Sequence, residues 1–172
     1  MSAARGTMRV RRRGVLVMLL GSALTGCSRS GTGDSPAAPL KAMSAAALRA
    51  VPVEASLDMP VQASLYAWRD LMPGPADTAR AGRDLMLSVQ VRGGVVPPKG
   101  LACDAIYLVH GDSVHAARPD EQRAGDGPGA VECILRGGPA WPVGAPLQVI
   151  ISVSAGNQRA LIRRETVIDA TS

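Results

Sequence analysis

Residues 85–91 read LMLSVQV, and this stretch decides the fold class. Leucine and valine occupy every second position, and Ser88 and Gln90 lie between them. Strict alternation over this length is typical of a β-strand that buries one face. The same period recurs in residues 131–135 (VECIL) and 147–154 (LQVIISVS). The central part of the chain is therefore predicted to form β-sheet.

Further strand candidates lie in residues 60–68, 104–110, 113–118 and 159–168. The segments between them are rich in glycine, proline and aspartate, which favour turns. About seven short strands with such connections predict an all-β fold, a two-sheet sandwich of the immunoglobulin-like or transthyretin-like kind. We expect this domain to span residues 58–172.

The composition restricts the classes of partner. The chain is 47% hydrophobic but contains only two tryptophans, two tyrosines and no phenylalanine. This scarcity argues against stacked aromatic platforms for sugars or single-stranded nucleic acid. Five of the 19 lysines and arginines lie in residues 1–26, which contain no acid, so the remaining 14 balance the 14 acidic residues. The net charge of +5 therefore belongs to the leader, and no nucleic-acid partner is predicted.

The leader has the layout of a signal peptide. Residues 1–14 are positively charged, and residues 15–24 (VLVMLLGSAL) form an apolar run that is too short to span a membrane. Residues 24–27 then read LTGC, which resembles the lipobox of bacterial lipoproteins. The resemblance implies removal of residues 1–26, acylation of Cys27 and anchorage in membrane lipid.

The residues after Cys27 predict the membrane location of the protein and a flexible tether. Ser28, rather than aspartate, follows the cysteine. The lipoprotein resemblance then implies the periplasmic leaflet of the outer membrane, or the outer face of the plasma membrane in a bacterium with one membrane. Residues 27–57 are rich in Ala, Pro, Ser and Gly, so we expect a flexible tether. A short helix after Pro39, ended by Pro52, is the alternative.

Cys103 and Cys133 are the other two cysteines. An even pair in an exported chain predicts a disulfide, which would contribute about 3–4 kcal/mol at this loop length. A metal site is the alternative, but the pair lacks the CxxC spacing of zinc sites. Cys133 alternates with the apolar residues Val131 and Leu135, so the disulfide should lie in or beside the core.

The sequence predicts no enzyme. Residues 111–114 (GDSV) resemble the nucleophile block of GDSL-type esterases, whose serine needs a later histidine for activation, and no histidine follows residue 115. Gly111 and Asp112 instead suit the two-residue turn of a hairpin. We therefore predict no catalytic residue and no cofactor.

The same hairpin contains a weak metal-site candidate. His110 and His115 flank the turn and fall diagonally on one face, with Asp112 at the tip as a third ligand. The simpler interpretation is a polar end of an exposed hairpin, so no metal is predicted.

Trp141 is the candidate partner-binding residue. It lies between Pro139 and Pro142 in a loop, where a rigid backbone would present the indole at a low entropic cost. Packing against the core is the alternative. Tyr66 and Trp68, in the first long strand, are expected to pack at one end of the core.

Three segments resemble small β-sandwich proteins of the bacterial envelope: residues 63–73 (ASLYAWRDLMP), 106–112 (IYLVHGD) and 136–142 (RGGPAWP). This resemblance implies a fold and no activity. With the lipobox, it predicts a lipid-anchored, non-catalytic envelope lipoprotein whose sandwich binds another envelope protein. The alternatives are a periplasmic metal-binding protein that uses His110 and His115, or an accessory lipoprotein of a secretion or envelope-assembly machine.

Overall fold

The computed structural model describes residues 39–71, 84–94 and 100–171. Within these ranges lie one short helix and ten strands: α1 (Ala45–Arg49), β1 (Ala55–Leu57), β2 (Met59–Asp70), β3 (Leu85–Gly93), β4 (Ala102–His110), β5 (Ser113–Ala117), β6 (Glu121–Ala124), β7 (Ala130–Gly138), β8 (Pro146–Ala155), β9 (Gln158–Val167) and β10 (Asp169–Thr171). They belong to one folded unit, Ala38–Ser172. The leader and the lipidation candidate Cys27 lie outside the described residues.

The strands form two sheets. The six-stranded sheet has the order β1-β2-β3-β7-β6, and β10 pairs in parallel with β2. The four-stranded sheet has the order β5-β4-β8-β9. The prediction of an all-β sandwich is therefore confirmed. The order β2-β3-β7-β6 against β5-β4-β8-β9 matches the A-B-E-D and C′-C-F-G arrangement of immunoglobulin-like domains.

The main core lies between the two sheets and is aliphatic. Leu87 and Val89 of β3 face Ile106 and Leu108 of β4, and all four side chains are fully buried. Their neighbours in sequence point to the opposite faces, as the period of two predicts. The strands thus form the elements that the alternating pattern of residues 85–91 indicates.

A second apolar cluster covers the outer face of the four-stranded sheet. Leu48 and Val51, from the segment before β1, pack there against Tyr107, Val109 and Ile150. Leu48 is fully buried by this contact. Both faces of this sheet are therefore covered, one by the other sheet and one by the N-terminal segment.

The prediction of a tether over residues 27–57 is wrong from residue 39 onward. Ser44 caps α1 by accepting the backbone N–H of Ala47 at 3.2 Å, and the segment continues into β1. An alanine-rich composition suits a linker, but it also suits a short helix that becomes stable by packing on an apolar sheet. We call residues 39–53 the N-terminal strap.

The sequence does not predict the short strands β1, β6 and β10. Three of the four residues of β6 are polar, and the strand is held by pairing with β7 and by an ion pair of 2.7 Å between Arg123 Nε and Glu132 Oε2. The predicted hairpin is confirmed, since His110 pairs with Ser113. Gly111 in its turn has a φ of +53°, which glycine adopts without strain.

Candidate functional site

Cys103 and Cys133 meet between the two sheets. Cys103 lies on β4, Cys133 lies on β7, and both side chains are buried beside the core, as expected. However, the two residues approach only to 3.8 Å, whereas a disulfide bond is about 2.05 Å long. The predicted disulfide is therefore wrong for this structure, in which both thiols are free. Each cysteine is fixed by its own sheet, and the packing of the sheets leaves the thiols in contact without a bond.

Gln122 of β6 links the two cysteines. Its Oε1 accepts the backbone N–H of Cys103 at 2.9 Å and the thiol of Cys133 at 3.8 Å. The hydrogen bond between the two thiols, together with burial, raises the pKa of Cys103. The same hydrogen bond lowers the pKa of Cys133. The ionisation of each thiol therefore depends on the protonation state of the other.

A cleft of about 590 Å³ opens beside this pair. Cys103, Asp104 and Gln122 line it from the sheets, and Met43 lines it from the N-terminal strap. A β-bulge between Cys103 and Ala105 interrupts the pairing of β4 with β8. Bulges change the direction of side chains along a strand, and here the bulge lies where Cys103 lines the cleft.

Cations dominate the charged lining of the cleft. Lys41, Arg118 and Arg159 line it together with a single carboxylate, that of Asp104. Asp104 Oδ2 lies 3.7 Å from Arg159 Nε, and the same oxygen is buried without a hydrogen-bond partner. The cleft therefore favours a negatively charged occupant or a buried thiolate.

The structure does not gather His110, Asp112 and His115 into a metal site. His110 Nδ1 lies 3.0 Å from the carbonyl oxygen of Pro146. Asp112 Oδ1 lies 3.5 Å from Nη1 of Arg49 in the strap. Within the described ranges, no group of three or more His, Cys, Asp or Glu side chains is arranged to hold a metal. Two of the three candidate ligands thus have other contacts.

Trp141 is half-buried and packs against the main core. Its ring lies 5.4 Å from the ring of His110, centroid to centroid. Arg69 Nη1 also donates to the carbonyl oxygen of Trp141 at 3.0 Å, which fixes the loop backbone. The Trp141 side chain therefore packs within the domain, which is the alternative to partner binding given above.

Tyr66 and Trp68 lie on the outer face of the six-stranded sheet, so their expected position in the core is wrong. Their ring centroids are 5.2 Å apart with an angle of 19° between the planes, and Tyr66 is 45% exposed. Ala67 between them is fully buried, so alternation turns both rings outward. Sequence reasoning missed an available signal, because the polar residues Gln62 and Ser64 share their face.

Neighbouring strands extend this outer patch. Trp68 pairs with Met86 and Tyr66 pairs with Ser88, which in turn pairs with Ile134 of β7. We call these five residues the aromatic face. Ile134 is only 7% exposed although it lies on the outside of the sheet, so the patch is locally well packed.

The charges beside the aromatic face are paired within the molecule. Arg123 Nε donates to Glu132 Oε2 at 2.7 Å, and Arg136 Nη2 donates to Glu121 Oε2 at 2.8 Å. Ser88 Oγ donates to the other oxygen of Glu132 at 2.7 Å. The hydrogen bonds from Arg123 and Ser88 hold the pKa of Glu132 below its ordinary value. The aromatic face therefore borders a network whose opposite charges offset each other.

Comparison with known proteins yields no family model, no curated protein and no solved structure that matches this chain. In the part of the chain that the structure describes, no helix combines the length and the apolar character that a membrane span needs. Functional assignment therefore rests on the residues and contacts described above.

Proposed function

We propose that this protein is a lipid-anchored, non-catalytic protein of the bacterial cell envelope, and that its sandwich domain binds another envelope protein through the aromatic face. The anchor is supported by the LTGC motif of residues 24–27 after a charged and an apolar segment. The observation that carries the binding function is the stack of the exposed ring of Tyr66 on the half-buried ring of Trp68, on the outer face of a regular strand.

The anchor follows from the chemistry of acylation. Each buried methylene of an acyl chain contributes about 0.8 kcal/mol, so two or three chains on Cys27 would hold the protein to the membrane permanently. Eleven peptide steps separate Cys27 from Ala38, where the folded unit begins. At about 3.6 Å per residue, even a fully extended segment reaches no more than ~40 Å. The partner should therefore lie close to the same membrane.

The binding surface is inferred from the exposure of Tyr66 and from its stacking on Trp68. Tryptophan and tyrosine dominate the binding energy of protein interfaces, and exposed apolar patches mark such interfaces. Because Tyr66 and Trp68 stack on each other and project from a paired strand, little side-chain freedom remains to be lost on binding. Trp141 is a weaker candidate for an interface residue than Tyr66, because its side chain packs against the core.

Crosslinking in intact cells tests the surface. We expect a double variant, Tyr66→Ala with Trp68→Ala, to lose the crosslinked species that the wild-type protein forms with its envelope partner. The matched control removes two other exposed apolar side chains, Val143→Ala with Val167→Ala, and should keep that species. Loss of the species from the control, or its retention in the aromatic variant, would contradict the proposal.

A further inference from the structure

The Cys103–Cys133 pair has no part in the proposed function, and its spacing matches that of two ligands on one metal ion. Two sulfurs bound to one ion through bonds of about 2.3 Å lie about 3.8–4.0 Å apart, for bond angles between tetrahedral and trigonal. The two thiols lie 3.8 Å apart. A disulfide would require them to close to about 2.05 Å, whereas a shared ion requires almost no movement.

We propose that Cys103 and Cys133 bind one Cu(I) ion, with Oε1 of Gln122 as a weak third ligand. Thiolates are soft ligands and select Cu(I), and an amide oxygen is a known weak ligand at copper centres. A structural zinc ion needs four ligands, and the described residues provide no group of three or more suitable side chains. Gln122 is in position, because its Oε1 lies 3.8 Å from Cys133 Sγ and is fixed by the N–H of Cys103.

The cleft provides a route for the ion. Cys103, Gln122 and Met43 line the same cleft, so methionine, a second kind of soft sulfur ligand, lies in the cleft that leads to Cys103. Cys103 is 1% exposed and Cys133 is fully buried. The bound ion would therefore be shielded from water and from competing ligands in solution.

The binding step is a ligand exchange without electron transfer. Two Cu–S bonds form, the two thiol protons pass to water, and the ion arrives and remains as Cu(I). The product, one monovalent cation with two thiolates, has a net charge of −1. Lys41 and Arg159 line the adjoining cleft, and their positive charges offset this buried negative charge.

A competition titration with Cu(I) and the chelator bicinchoninate, under reducing and oxygen-free conditions, tests the site. The full chain is used in a Cys27→Ser background, where Cys103 and Cys133 are the only thiols. We expect one ion per chain to leave the chelator and X-ray absorption to show two sulfur neighbours. Cys103→Ser and Cys133→Ser should each abolish this transfer, and Gln122→Ala should weaken it about 10-fold.

Controls separate the site from its alternatives. His110→Ala with His115→Ala should leave the copper transfer unchanged. Met43→Leu should slow the transfer, whereas Met86→Leu, on the six-stranded sheet, should not. If circular dichroism shows that the cysteine variants do not fold, the Cu(I) affinity of Gln122→Ala is the test, and an affinity equal to that of the unsubstituted site would contradict the proposal. Copper that stays on the chelator, equal binding by folded cysteine variants, or a Cys103–Cys133 disulfide in protein isolated from cells would overturn the proposal.

Discussion

Glu132 shows how single contacts make the stability of this domain depend on pH. Arg123 and Ser88 both donate hydrogen bonds to its carboxylate and hold its pKa below the ordinary value of 4.5. The unfolded chain therefore takes up this proton at a higher pH than the folded chain does. The contact stabilises the fold above about pH 4.5, and its contribution is lost as the pH falls through the lowered pKa.

We expect Glu132→Gln to reduce the difference in stability between pH 7 and pH 3, because the variant has no carboxylate to protonate. Urea denaturation at both pH values measures this difference as the free energy of unfolding. Glu54→Gln, at an exposed position outside this network, is the control. An unchanged difference in Glu132→Gln would show that Arg123 does not favour the ionised form.

Individual residues also show where sequence reasoning succeeds and where it stops. Alternation predicts which face a residue occupies, so it placed Cys133 beside the core and could have turned Tyr66 and Trp68 outward. It cannot predict the distance between two residues on opposite sheets. The separation of Cys103 from Cys133 depends on how the sheets pack, and no local pattern contains that information.

At the level of elements, the N-terminal strap is the part of the fold whose composition suggests a flexible linker although it is packed. Leu48 is fully buried against the outer face of the four-stranded sheet. We expect Leu48→Ala to destabilise the domain by about 2–5 kcal/mol, as core leucine truncations do. Leu71→Ala removes a leucine that is 45% exposed and should cost less than about 1 kcal/mol. Chemical denaturation compares the two, and equal small effects would mean that the strap is a tether after all.

The length of an element decides how well its sequence predicts it. β3 and β8 contain nine and ten residues, so the period of two repeats several times and is unambiguous. β1, β10 and α1 contain three, three and five residues. Such short elements form because a longer neighbour supplies hydrogen bonds or an apolar surface. For β10 and α1 this neighbour is distant in sequence, and for β1 it is the following strand.

At the scale of the whole molecule, we propose that a lipid on Cys27 anchors a sandwich domain that carries one aromatic face. We expect wild-type protein to fractionate with membranes and to incorporate a palmitate analogue, and Cys27→Ser to lose both properties. Cys103→Ser is the matched control, since it removes a buried cysteine of the sandwich and should keep the label. Label that persists in Cys27→Ser would refute the lipobox assignment.

The most direct measurement is the yield of adduct from a photo-crosslinking amino acid that replaces Tyr66 in the lipidated chain in intact cells. We expect a discrete adduct with one envelope protein, and we expect Trp68→Ala and Cys27→Ser each to reduce its yield strongly. The same group at Ser113, an exposed position on β5 of the other sheet, is the control and should give no such adduct. Equal yields from positions 66 and 113, or a yield that Trp68→Ala leaves unchanged, would contradict binding through the aromatic face.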